Sequence, residues 1–311
     1  MRPEMRTEKL LGHLSTAAAY SIFGLNIVFC KDIANTHCVE PIVLFTLRSA
    51  GAALLFFLIS VFLPKEKVDR RDFVKIAGAS VIGLFIPQVT FLVAISMATS
   101  IDTAIMSTLG PIFTMIFAFI FLGEPVTLRK AGGVALSFAG VIFLILNSVH
   151  LGGASSSTPL GIVLLLVNCL SFSLYLGLFR PVISKYSVVN FMKWSFLISA
   201  VLSLPFSMKG LLNTDFAAIP PKVCLEIGYL ILCATCMAYF LIPFGQKRLR
   251  PTLVSMYTYL QPIIAAVVSI STGIDTLGWQ KILATVLIIS GVVLVSKSRA
   301  ANSAPSQGSP D

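Results

Sequence analysis

Residues 109–144 read LGPIFTMIFAFIFLGEPVTLRKAGGVALSFAGVIFL, and residues 260–295 read LQPIIAAVVSISTGIDTLGWQKILATVLIISGVVLV. Laid over each other at an offset of 151 without gaps, the two stretches share seven identities: Leu109, Pro111, Ile112, Lys130, Leu136, Gly140 and Val141 with their counterparts. Glu124 also falls on Asp275. Each stretch covers most of two apolar runs, each run near the roughly 20 residues that cross a bilayer as a helix, around a short turn. The same helix pair therefore occurs twice, and a repeat found this early sets the frame for the rest.

Working outward, comparable runs fill the chain. The first half gives 11–30, 41–63, 73–94, 103–122 and 128–147, and the second gives 160–180, 189–207, 223–244, 252–271 and 277–296. Composition agrees: 56% of the 311 residues are hydrophobic and 12% charged, with a mean hydropathy of +0.91. A soluble domain carries roughly a quarter charged residues, so this chain has too little polar surface for a globule in water. An outer surface that faces lipid removes the difficulty. The fold expected is all-α and integral to the membrane, with ten transmembrane helices and the lipid bilayer as first partner. The first run is long enough to act as an uncleaved anchor, and no short signal with a small-residue cleavage site precedes it.

The net charge of +10 raises nucleic acid as a partner. The placement of the charges answers it. With a cytoplasmic N-terminus and ten spans, 17 of the 23 Lys and Arg residues fall on the cytoplasmic side, among them Lys65, Lys67, Arg70, Arg71, Arg180, Lys185, Lys247 and Arg248. Positive loops inside are the rule for such chains, so no nucleic-acid partner is needed. Both termini are expected in the cytoplasm.

Five helices per half is an odd number, so a duplicated unit crosses the membrane in opposite senses. Inverted repeats are the architecture of secondary transporters. The expected units are 10–147 and 158–297, followed by a disordered cytoplasmic tail over 298–311. The pattern Leu109-Gly110-Pro111-Ile112-Phe113, Phe121-Leu122-Gly123-Glu124-Pro125 and Phe138-Ala139-Gly140-Val141 resembles the end of the repeat in the ten-helix EamA-type members of the drug/metabolite transporter superfamily. Phe45-Thr46-Leu47-Arg48 and Leu260-Gln261-Pro262 are similar to that family too, over essentially residues 10–297. The second repeat departs from the pattern, reading Thr272-Gly273-Ile274-Asp275 where the family usually has Gly-Glu. The resemblance implies two inverted five-helix repeats, a central cavity between them, and transport of amino acids, other small metabolites or drugs, often outward. A bacterial inner membrane is the location it implies.

Pro111 and Pro262 fall at equivalent places. Proline cannot bond the carbonyl four residues earlier, which frees those of Ser107 and Thr258. A freed carbonyl in hydrocarbon needs a partner or a watery cavity, so the two prolines are candidate hinges flanking a substrate site. A static kink satisfied by a nearby hydroxyl is the structural alternative. Polar side chains at mid-helix depth usually face the bundle interior. Asn26 and Tyr175, Gln88 and Tyr239, Tyr257 and Gln261, with Ser107, are therefore expected to bind substrate. Amides and phenols suit zwitterionic or uncharged solutes, and interhelical glue is their alternative role. Arg48, the strong charge well inside a span, either binds a carboxylate or phosphate or snorkels outward.

No Asp or Glu lies near the middle of a run, which weakens proton-driven and cationic-drug readings and favours facilitated diffusion or exchange. The six cysteines sit mostly in apolar runs, Cys233 and Cys236 included, and read as small apolar residues. His13, His37 and His150 are scattered, so no metal, cofactor or catalytic group is expected. The reading is a carrier of a small molecule, most simply an amino acid, aromatic ones included, acting as a monomer or weak homodimer. Phosphorylated metabolites and nucleotide sugars are the alternative cargo; a membrane-embedded enzyme or non-transporting scaffold is the alternative class.

Overall fold

The computed structural model describes residues 3–122, 128–150, 157–249, 254, 257–274 and 278–300. Within them the chain is helical, with no strand. The helices are α1 (Pro3–Thr36), α2 (Pro41–Val61), α3 (Arg70–Met97), α4 (Ser100–Ser107 resuming as Gly110–Leu122) and α5 (Leu128–His150). The second half gives α6 (Pro159–Leu178), a short helix Arg180–Lys185, α7 (Val188–Asn213), α8 (Pro221–Gln246), α9 (Tyr257–Ser271) and α10 (Trp279–Ala300). Six of these are long and apolar enough among the described residues to cross a membrane, within α1, α2, α3, α6, α7 and α8. Helix α10 continues to Ala300, so the tail expected from residue 298 begins helical; residues 301–311 lie outside the described residues. So do Glu124, Pro125 and Asp275 of the turn comparison.

Large apolar side chains point outward along the bundle, among them Leu54, Phe62, Phe206, Leu212, Leu225 and Val267. In water these would be a liability; against lipid chains they are the natural surface. Polar residues turn inward instead: Asn26, Gln88, Ser173, Asn190, Ser199 and Gln261 are all buried.

The helix contacts repeat with the sequence. Helix α1 packs on α8 and α9, and its counterpart α6 packs on α3 and α4. Helices α2 and α7, which are counterparts, pack on each other, as do α5 and α10. On the α2–α7 seam Thr46 Oγ1 donates to Ser203 Oγ at 2.9 Å, and Phe56 stacks on Phe196 with planes 7° apart. On the α5–α10 seam Ser137 Oγ donates to the Ile288 carbonyl at 2.9 Å, residues that are 151 apart. The seam is close because Gly140 and Gly291, one of the identities of the repeat, let the backbones approach. Small residues at helix interfaces serve this purpose in membranes. A Cβ on Gly291 would stand 2.2 Å from Ser137 Oγ and 2.4 Å from the Gly133 carbonyl.

Gly291→Ala is therefore expected to lower stability by about 1–3 kcal/mol, the usual cost of overpacking. Gly132→Ala, whose Cβ would meet nothing within 4 Å, should be neutral or stabilising by up to ~1 kcal/mol. Thermal unfolding of the two purified variants in one detergent decides the point.

Candidate functional site

A central cavity is lined by α1, α3 and α4 from the first half and α6, α8 and α9 from the second. It admits water centres over about 90 Å³, room for several waters where about 10–15 Å³ holds one. Its polar lining includes Asn26, Gln88, Asn168, Tyr239 and Gln261, and among the described residues no charged side chain is in its walls.

Irregular backbone builds the walls. Helix α3 carries a π-helical segment at Val81–Phe85, and α8 carries one at Leu230–Met237, its counterpart in the repeat. Single π turns inside helices gather at functional sites because they turn carbonyls off the helix ladder. Helix α4 breaks between Ser107 and Gly110, just before Pro111, and α9 begins as a 3₁₀ turn over Tyr257–Tyr259, just before Pro262. Each proline closely follows an irregularity, and Ser107 and Thr258, four residues before them, are in the cavity wall.

One helix sends side chains to carbonyls in and beside these irregular stretches. Along α6, Asn168 Nδ2 donates to the Pro87 carbonyl at 2.7 Å, and Ser171 Oγ to that of Ile82 at 2.5 Å. Ser173 Oγ donates to the Gly110 carbonyl at 3.2 Å, and Cys169 Sγ reaches that of Ser107 at 3.9 Å. Four side chains within six residues thus satisfy backbone in both α3 and α4. In α8 the Thr235 hydroxyl serves its own helix, donating to the Leu230 carbonyl at 2.7 Å.

Gln88 Nε2 donates to the Tyr239 hydroxyl at 2.5 Å, again across an offset of 151, so counterpart residues meet inside the cavity. Gln88 Oε1 and the Tyr20 hydroxyl are buried without a partner. Both residues line the cavity.

Of the residues expected to bind substrate, Asn26, Gln88, Ser107, Tyr239 and Gln261 line the cavity together. Tyr175, Tyr257 and Arg48 do not. The Tyr175 ring lies over Gly83 of the α3 π segment, where a Cβ would come within 2.2 Å of it, and packs beside Phe172 and Phe179. Tyr257 turns away to α1, its hydroxyl 2.7 Å from His13 Nδ1. Arg48 lies behind the wall, bonded to Thr235 and Cys30. The sequence expectation had overlooked Tyr20, Asn168, Thr103 and Ser173. Tyr20 and Asn168 carry the same signal, a polar group in mid-run, that picked out Asn26 and Gln88. Among the described residues no three His, Cys, Asp or Glu side chains gather as a metal site.

Comparison with known proteins came to the same kind of molecule. The model of the EamA-like transporter family matches residues 10–146 and again 159–297. Relatives include "Uncharacterized transporter YcxC" of Bacillus subtilis (strain 168), 25% identical over 89% of this chain and 90% of its own. Another is "Uncharacterized inner membrane transporter YedA" of Escherichia coli (strain K12), 26% identical over 80% and 78%. A solved crystal structure superposes with a TM-score of 0.65 at 16% identity, covering 96% of this chain and 98% of its own.

Ser171→Ala removes one donor from displaced backbone without touching the cavity wall. It should cost about 1 kcal/mol of stability and leave solute choice unchanged, which paired unfolding and transport assays would measure.

Proposed function

Because the chain belongs to the EamA-like transporter family, and so is a multi-pass membrane transporter of small molecules, we propose that it is a secondary carrier. Its cargo is an amino acid, aromatic ones included, and the net flow is outward by alternating access. The observation that carries this reading is the cavity shared by both halves, walled by amide, phenol and hydroxyl groups and ringed by Phe23, Phe91 and Phe172. Neutral donors and acceptors suit a zwitterion, and aromatic walls suit an aromatic side chain. Enclosing cargo between two halves of opposite sense gives a carrier two ways to open.

A polar latch supports the two-state reading. On the side that the positive-inside rule assigns to the cytoplasm, Lys185 Nζ lies 2.7 Å from Asp69 Oδ2 and 2.5 Å from Asp72 Oδ2. The Tyr186 hydroxyl donates to Asp72 Oδ2 at 2.9 Å, and the Ser187 hydroxyl to Glu66 Oε2 at 2.7 Å. All these bonds join the first half to the second. Asp69 and Asp72 hold the Lys185 ammonium above the usual lysine range. Burial pushes the Glu66 carboxyl up, but bonds from Ser187 and Asn190 outweigh it and hold it below the usual range. A depressed carboxyl keeps its contribution at neutral pH and loses it only as pH falls through the lowered value. The latch is closed here, and opening it is the inward-facing step of the cycle.

Metabolite profiling tests the function. Medium from cells making the chain should accumulate an amino acid, and cells making Gln88→Ala, Gln261→Ala at equal membrane level should not. Coincident profiles for parent and variant would remove both the amino-acid cargo and the outward flow.

Lys185→Gln tests the latch. It should raise several-fold the rate at which Cys169 in the cavity wall is alkylated by a membrane-impermeant reagent applied on the Lys185 side, with the modified residue identified by mass spectrometry. An unchanged rate counts against the latch.

A further inference from the structure

Arg48 is 1% exposed, and none of the ion pairs among the described residues includes it. Its Nε donates to Thr235 Oγ1 at 2.9 Å and its Nη1 reaches Cys30 Sγ at 3.7 Å, while Nη2 is buried with no partner. Thr235 is part of the α8 π segment, and Cys30 is one turn from Asn26, whose Oδ1 takes the Cys30 thiol at 3.6 Å. Asn26 belongs to the wall of the central cavity. Cys30 belongs to the wall of a second cavity, which admits water centres over about 290 Å³ between Leu44, Leu92, His37 and Glu40. The guanidinium thus stands behind the partition between two cavities.

A buried cation without a counter-ion is a large cost unless something else supplies the negative charge. Each present partner also makes a bond of its own: Thr235 Oγ1 donates to the Leu230 carbonyl and Cys30 Sγ to Asn26 Oδ1. A guanidinium offers a planar fork that fits a carboxylate or phosphate on two bonds, and Nη2 is the arm left over.

We propose that Arg48 is an anion-recognition residue at the partition of the two cavities, and that the cargo carries a carboxylate or comparable anionic head that pairs with it in transit. This deepens the carrier reading and rests on it. The anionic head draws the guanidinium off Thr235, so cargo acts on the π segment of α8 and, five and nine residues from its start, on Thr235 and Tyr239. Cargo without the anion would leave the charge unmatched and pass poorly.

The test uses the full chain in proteoliposomes loaded with matched pairs of solutes that differ only in the anionic head: amino acids with their carboxamides, hydroxy acids with their amides, and sugar phosphates with free sugars. The parent protein is expected to favour the anionic member of at least one pair by tenfold or more. Arg48→Met should abolish that preference and Arg48→Lys should keep much of it. Because the charge is unmatched at rest, the melting temperature of Arg48→Met without solute should hold or rise; a structural role would lower it. If the preferred pair is not the amino pair, the amino-acid cargo falls while the role of Arg48 stands. Preference for the neutral member, a preference that survives Arg48→Met, flux in no pair, or a clear fall in melting temperature would each overturn the proposal.

Discussion

Hydrocarbon allows no backbone carbonyl to go unmet, and the rest of this structure follows from how that demand is answered. Regular helix answers it within each segment, so most of the chain needs nothing but apolar side chains. A cavity in a membrane bundle brings in polar groups, and here it also brings in places where helices bend. Among the described residues two irregular stretches in each half border the cavity, and side chains of α6 bond carbonyls in or beside the two of the first half. The polar face of α6 is thus both cavity wall and structural donor. Mutations along it divide by which carbonyl they serve, and Ser171, away from the wall, is the cleanest structural member.

Much of this was legible in the sequence. The repeat at offset 151, the paired prolines and the mid-run amides led to the helix breaks and to five of the residues of the cavity wall. Two sorts of fact were not. The first is the face a residue occupies on an irregular helix: Tyr175 is the counterpart of Asn26, yet its ring is drawn onto bare Gly83. Periodicity assumes 3.6 residues per turn, and the π segment opposite changes which side chain fits where. The second is the partner of an exception. The depth of Arg48 could be read, but Thr235 and Cys30 come from other helices, and no local signal announces them.

Acidic residues refine the sequence picture as well. None stands at the middle of a span, but Glu226 and Asp102, near helix ends, are buried. Glu226 shares Lys222 with Asp32, which ties α8 to α1 at the end of the bundle opposite Lys185. Ionic ties between the halves therefore occur at both ends of the bundle, with the neutral cavity between them.

Equivalent residues that touch, Gln88 with Tyr239 and Ser137 with Ile288, carry a consequence for descent. Two copies of one surface can meet at themselves only about a two-fold axis, as in an isologous dimer. A separate five-helix chain ancestral to both halves would have had to place the same side chain opposite itself at each such point. Two halves with different sequences are free of that restriction. An amide could then face a phenol in the cavity, and a lone guanidinium could arise at Arg48 without a twin to repel. The lopsided cavity is what that difference allows, since identical halves would present identical walls.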